Sequence, residues 1–291
     1  MRRPGRTARS LVALGPVLVV CGGLTVGALA LMVTESLGVG EPSGLVNPGI
    51  DAYRSVVGAD GFVEALAFSM WVAVAGTLLA LAGAVTVAWL WTTRPGRLHR
   101  VGLGVLHVNL SIPHIVWAVA LAATFSQSGW LSRLVVLVGL TDASADFPVV
   151  VRDSFGIGII AHIVTKELPF ITIALLPLAG RRAAPLLRQG AVLGASPMQR
   201  LRTIFLPTLA PALFPAAMVS FAFALGAFEP GWVLGASTPR TLAVVILERF
   251  RDADLVRRSE AQALSVILLS IVFFVAALGW RRTRRWIVST S

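Results

Sequence analysis

The chain has 291 residues, 56% of them apolar and only 13% charged. Soluble domains carry about 25% charged residues, so this composition excludes a water-soluble fold and makes lipid the expected solvent. The net charge of +11 does not mark a nucleic-acid surface, because the arginines fall in short clusters between long apolar runs and form no single patch on a soluble domain.

The first segment, Met1–Ser10, carries four arginines and precedes an apolar run from Leu11 to Met32. Together they imitate a secretory signal, with Ala28-Leu29-Ala30 in the place of a cleavage site. The apolar run is longer than the roughly 7–15 residues of a signal core, and it is read as a retained helix. Cys21, the only cysteine, rules out an intrachain disulfide. It is read as small packing in that run, since Val20 is too bulky for a lipoprotein cleavage site.

A helix needs about 20 apolar residues to cross a bilayer core. Six stretches meet this requirement: Leu11–Met32, Phe62–Leu90, Val101–Phe125, Gly156–Ala179, Thr208–Gly235 and Ala261–Trp280. The segment Leu131–Leu140 is too short and reads as an amphipathic or re-entrant helix. The result is an all-α integral membrane protein. It divides into an N-terminal tail (1–10), a first helix (11–32), a membrane domain (62–280) and a C-terminal tail (281–291).

Ionisable and polar side chains inside spans are costly and mark functional candidates. The third span carries His107, Asn109, Ser111, Pro113 and His114. His107 and Ser111 are four apart and share a face. A pore-facing stripe and a set of satisfied interhelical hydrogen bonds both fit these residues. The fourth span carries His162 and then Lys166, Glu167 and Pro169. Neighbouring residues on a helix point about 100° apart, so Lys166 and Glu167 are expected to find partners on other helices. They fit a translocation path or gate, and they also fit an ion pair that locks packing. Pro169 removes a backbone donor and is expected to bend the helix. Glu229-Pro230-Gly231, toward the far end of the fifth span, fits either a vestibule wall or a solvated helix end. No His-x-x-x-His spacing is present, so no metal site is expected. No catalytic residues are expected either.

The segment between the fourth and fifth spans, Gly180–Pro207, is long and basic. Ala183–Leu193 is expected to form a short helix, Gly194 a turn, and Ser196-Pro197 an N-cap with a first-turn proline. A second short helix is expected over Pro197–Ile204, ended by Leu206-Pro207. Such a corner suits either docking into a soluble partner or lying on anionic lipid. Farther along, the mixed charges of the 236–260 loop suit contact with an external receptor, or simple solvation.

Orientation follows from arginine distribution. Segments 1–10, 91–100, 180–207 and 281–291 hold sixteen arginines and no Asp or Glu, against eight arginines elsewhere. The positive-inside rule then places these segments and both termini in the cytoplasm. Trp89, Trp91, Trp280 and Trp286 fall near the same ends of the spans, as an interfacial belt does.

The pattern Gly194, nine residues, Ile204, one residue, Leu206-Pro207 resembles the conserved cytoplasmic loop of binding-protein-dependent ABC importer permeases, with Ala195 and Pro197 in register. That family opens its loop with Glu-Ala-Ala, where this chain has Arg188-Gln189-Gly190. The departure at Arg188 puts in doubt one polar contact with the ATPase. The resemblance extends over roughly 62–280 and implies a type I importer permease fold whose loop is a coupling-helix pair. It implies as partners an ATP-binding subunit dimer, a second permease, an extracytoplasmic solute-binding protein and membrane lipid, in a bacterial inner membrane. ATP and Mg would sit on the partner ATPase, with no cofactor on this chain. The absence of a Gly-x-x-x-x-Gly-Lys-Ser/Thr phosphate loop agrees. Pro239-Arg240-Thr241-Leu242 and Phe228-Glu229 resemble the branch serving polyamines, ferric iron, thiamine and phosphonates. Two other classes compete. One is an ion-coupled secondary transporter using Lys166, Glu167 and Glu229, which lacks repeat symmetry. The other is a membrane scaffold, which no motif supports.

Overall fold

The structure, a computed structural model, describes residues 15–39, 48–94 and 96–288, without the side chains of Arg97, Leu98 and residues 280–288. The expected basic N-terminal tail, and the side chains of Trp280, Trp286 and the C-terminal arginines, lie outside the described residues. Every regular element among the described residues is helical. Six helices are long and apolar enough to cross a membrane: Gly15–Ser36, Phe62–Thr93, His114–Leu137, Ile157–Val192, Pro197–Gly226 and Val256–Gly279.

The chain divides into two compact units. One comprises residues 1–62 and 246–269, the other 63–245 and 270–291. In the first unit, a π-turn over Leu18–Gly22 leads into α1 (Gly23–Ser36), and α2 spans Asp51–Gly58. Most apolar side chains of the first helix are exposed, Val19 and Leu24 among them, as expected of a lipid-facing span. Its polar ties gather on two carboxylates. Glu35 accepts a hydrogen bond from Gln262 at 2.9 Å and pairs with Arg258 at 3.5 Å. Glu260 pairs with Arg249 at 3.1 Å and accepts from Ser55. Two arginines of the loop expected to meet a receptor are therefore engaged within the unit.

The second unit is built on α3 (Phe62–Thr93), α4 (Arg97–Ser111), α5 (His114–Phe125), α6 (Trp130–Leu137), α7 (Ile157–Leu178), α8 (Ala184–Val192), α9 (Pro197–Arg200), α10 (Leu206–Gly226) and α11 (Glu229–Leu234). The last two helices, α12 (Leu242–Phe250) and α13 (Val256–Val288), each run through residues of both units. The core of the second unit follows from small residues at four-residue spacing. Ala80, Ala84 and Ala88 of α3 are fully buried against Ile171, Leu175, Ala179, Ala183 and Leu187, with Phe205 and Leu209 closing the cluster. Gly76 lets α3 approach α7 closely, because a Cβ there would lie 2.7 Å from Ile163 Cγ2. Small residues on such rows let helices pack where lipid supplies no hydrophobic drive.

Two expectations change. The run Val101–Phe125 is not one helix. It breaks at Ile112-Pro113, and a new helix runs over His114–Phe125; extended backbone at Ser126 and Gly129 then separates it from the short helix Trp130–Leu137, as expected for that segment. Proline restricts the residue before it to extended backbone, and Ile112 has φ −79° and ψ 127°. The fifth span ends at Gly226, and Glu229 opens the separate helix α11. Pro169 and Pro177 both lie inside α7, which continues through them.

Candidate functional site

Two places in the second unit collect the candidate residues. The first is the break between α4 and α5. Ending α4 at Ser111 leaves carbonyls without helical donors, and Lys166 of α7 supplies them. Its Nζ donates to Asn109 O at 2.6 Å and to Ile112 O at 2.8 Å, and the side chain is 2% exposed. Next to it, Glu167 points to another helix and accepts a hydrogen bond from Ser220 of α10. The two ionisable residues thus take separate partners, as their angular spacing requires.

One turn before Lys166, His162 is fully buried, and its Nε2 lies 3.4 Å from His114 Nδ1. His114 also packs on Phe223, with ring centroids 4.4 Å apart, and its helix lies against the one that Glu229 opens. Trp117 Nε1 donates to Thr165 Oγ1 at 2.8 Å. Two polar atoms of this cluster, His162 Nδ1 and Asn109 Oδ1, are shut off without a hydrogen-bond partner. The break therefore gathers Asn109, His114, His162 and Lys166 around half-satisfied polar groups, while Glu167 faces Ser220. His107 and Ser111 stay outside it. They are exposed and bonded to their own helix, at Leu103 O and His107 O. Sequence reasoning missed Ser220, since a serine in an apolar run gives no signal until its neighbour is known. No group of three or more His, Cys, Asp or Glu among the described residues is arranged to hold a metal.

The second place is the corner between α8 and α9. Here the expected pair of short helices is replaced by the ends of two long ones. A π-turn over Ala179–Ala183 joins α7 to α8, and another over Leu201–Phe205 joins α9 to α10. Each π-turn stands just ahead of a proline, Pro185 or Pro207, whose missing N–H an α-helix cannot accommodate without adjustment. Pro207 therefore sits in the first turn of α10 and does not end a helix.

The corner itself is four residues long, Leu193 to Ser196. Gly194 has φ +80°, Ala195 N donates to Gly190 O at 2.9 Å and Gly194 N to Ala191 O at 3.1 Å, which is a Schellman ending. Ser196 and Gln199 then form a reciprocal capping box, at 2.8 and 3.3 Å, over Pro197 at the first turn. Gly190 lies under Ile204, whose Cδ1 would stand 2.9 Å from an added Cβ. Leu206 continues the second arm. At the tip, Val192 and Leu193 are 88% and 86% exposed, while Arg188 and Gln189 face solvent beside them.

No family model matches. The inner membrane ABC transporter permease YnjC of Escherichia coli K12 is 30% identical over 186 residues, 61% of this chain and 34% of YnjC. The molybdenum transport permease ModB of Mycobacterium tuberculosis is 28% identical over 215 residues, 72% of this chain and 76% of ModB. A probable sulfate transport permease, cysT of Chlorella vulgaris, is 26% identical over 58% of this chain and 59% of its own. The chain is a homologue of ABC transporter permeases. It spans about a third of the length of YnjC. A solved bacterial alginate ABC transporter, in complex with a pentasaccharide-bound periplasmic protein, contains a chain with TM-score 0.74 at 16% identity, covering 97% of this chain and 98% of its own. A second alginate importer structure gives 0.73 at 15%. These establish that the permease homologue has the importer permease fold, as its loop pattern implied.

Proposed function

We propose that this chain is the membrane-spanning permease subunit of an ATP-driven importer in a bacterial inner membrane, with both termini cytoplasmic. In this reading it pairs with a second permease, identical or homologous, receives solute from an extracytoplasmic binding protein, and takes force from a dimer of ATP-binding subunits that hold ATP and Mg. One observation carries the reading: a rigid, capped corner holds Val192 and Leu193 in solvent at the join of two long helices. Apolar side chains so placed suit insertion into a partner's groove, and the continuous arms α7–α8 and α9–α10 would turn movement of the corner into tilting of the spans. The polar break around Lys166, His162 and His114 is the proposed translocation path or gate, with Glu229 beside it.

The related permeases named for molybdenum and sulfate transport support a small oxyanion as the solute. They lend no support to the polyamine, ferric iron, thiamine and phosphonate branch suggested by the Pro239–Leu242 motif. The test is uptake of radiolabelled molybdate and sulfate by vesicles containing the full complex. Uptake that needs ATP and is lost with Leu193→Asp is the expected result. Uptake driven by an ion gradient without ATP would establish the secondary-transporter alternative.

A further inference from the structure

Beside the apolar tip lies a basic cleft of about 360 Å³. Arg94 from the end of α3, Arg188 of α8 and Arg200 of α9 line it, with Trp89 and Leu187 among its apolar walls. Arg200 Nη1 donates to Leu187 O at 3.4 Å, but its Nε is closed off from solvent and has no hydrogen-bond partner. None of the three guanidiniums is in an ion pair among the described residues. The wall hydroxyls add no counter-charge: Thr92 and Thr93 donate to Ala88 O and Trp89 O of their own helix. Segments 91–100 and 180–207 contain no Asp or Glu. A buried guanidinium donor left unpaired is costly, and three like charges around one cleft raise that cost. The segments that carry these arginines supply no carboxylate to balance them.

We propose that the ATP-hydrolysing partner presents carboxylates to this cleft, so that the groove receiving Val192 and Leu193 has an acidic rim. The proposal rests on the coupling reading above and adds the polarity of the contact. Arginine forks bind carboxylates in fixed, bidentate geometry. The same surface carries Met198, 55% exposed, along with the two tip residues. A free oxyanion or a lipid phosphate would neutralise the arginines and leave that apolar surface in water. A protein groove covers both, in the usual arrangement of apolar centre and charged rim. Arg188 stands where the loop resemblance implies a glutamate, so the contact has its charge reversed relative to that pattern.

The test uses the full chain in zwitterionic nanodiscs and the ATPase subunit co-expressed with it. Arg94 and Arg188 are solvent-facing, so Arg94→Glu and Arg188→Glu leave the fold intact. Each is expected to weaken ATPase binding by about tenfold or more, on the scale of charge-assisted contacts. High salt weakens the wild-type complex in the same direction, and a carboxylate-to-arginine change on the partner's rim restores binding to Arg188→Glu. If Leu193→Asp abolishes binding while Arg94→Glu and Arg188→Glu leave it unchanged, the acidic rim is overturned and the coupling reading stands. If the wild-type chain does not bind the ATPase at all, the coupling reading falls and the rim falls with it. A thermal shift given by inorganic phosphate or phosphatidylglycerol, removed by Arg188→Glu with ATPase affinity unchanged, would reassign the cleft to a free anion or a lipid and overturn the proposal.

Discussion

Lys166 illustrates how much a single intramembrane charge depends on the backbone around it. It is the only lysine in the chain, and its ammonium closes the carbonyls that the Ile112-Pro113 break leaves open. Replacing it with methionine keeps the bulk and removes both donors. Asn109 O keeps the Ile112 N–H at 3.2 Å, while Ile112 O loses the Lys166 donor; one orphaned buried acceptor costs about 1–3 kcal/mol, so Lys166→Met is expected to lower the thermal midpoint in detergent. Calorimetry or a fluorescence melt checks this, and an unchanged midpoint would show that the break does not need the ammonium. Ser220→Ala removes the hydrogen-bond donor to buried Glu167. It should destabilise by about 1–3 kcal/mol, a loss that Glu167→Gln would not reproduce because the amide can still bond the hydroxyl.

Among the helices, the glycines separate close packing from turn geometry. At Gly76 an added methyl meets the branched carbon Ile163 Cβ at 2.9 Å as well as Cγ2, leaving little room to yield. Gly76→Ala is expected to cost about 1–3 kcal/mol by overpacking. At Gly190 the nearest atom is the flexible end of Ile204, so Gly190→Ala should melt within a degree or two of wild type. Gly194 has open space around it but φ +80°, and a β-branched residue there is strained by roughly 1–2 kcal/mol. Gly194→Val should therefore disturb the corner and reduce transport more than it reduces stability, which paired uptake and melting measurements would reveal.

For the molecule as a whole, the six apolar helices were legible because a bilayer demands a long run without charge, and such runs survive any rearrangement of neighbours. The interruptions were not. Pro113 lies in the sequence beside apolar residues that read as one span, and only the neighbouring Lys166 makes a break there affordable. The loop pattern from Gly194 to Pro207 gave the corner correctly. It misjudged the length of the arms, since the π-turns that absorb Pro185 and Pro207 leave no mark in composition. A substitution at the exposed tip tests the whole assembly. Leu193→Asp touches nothing inside the chain, so the melting point should hold while ATP-driven uptake falls by at least about tenfold; retained uptake would show that the tip takes no force.

The sequence alone determined that this chain lives in lipid, crosses it about six times and carries a glycine-centred corner. Those features arise from local chemistry: apolar length, charge placement and the one residue type at ease with positive φ. The tertiary structure decided which polar residues meet. Whether Lys166 holds backbone or solute, and whether His107 or His162 joins the cluster, depends on helix rotation and depth. Those are set by packing between segments 48 to 57 residues apart, which no local pattern encodes.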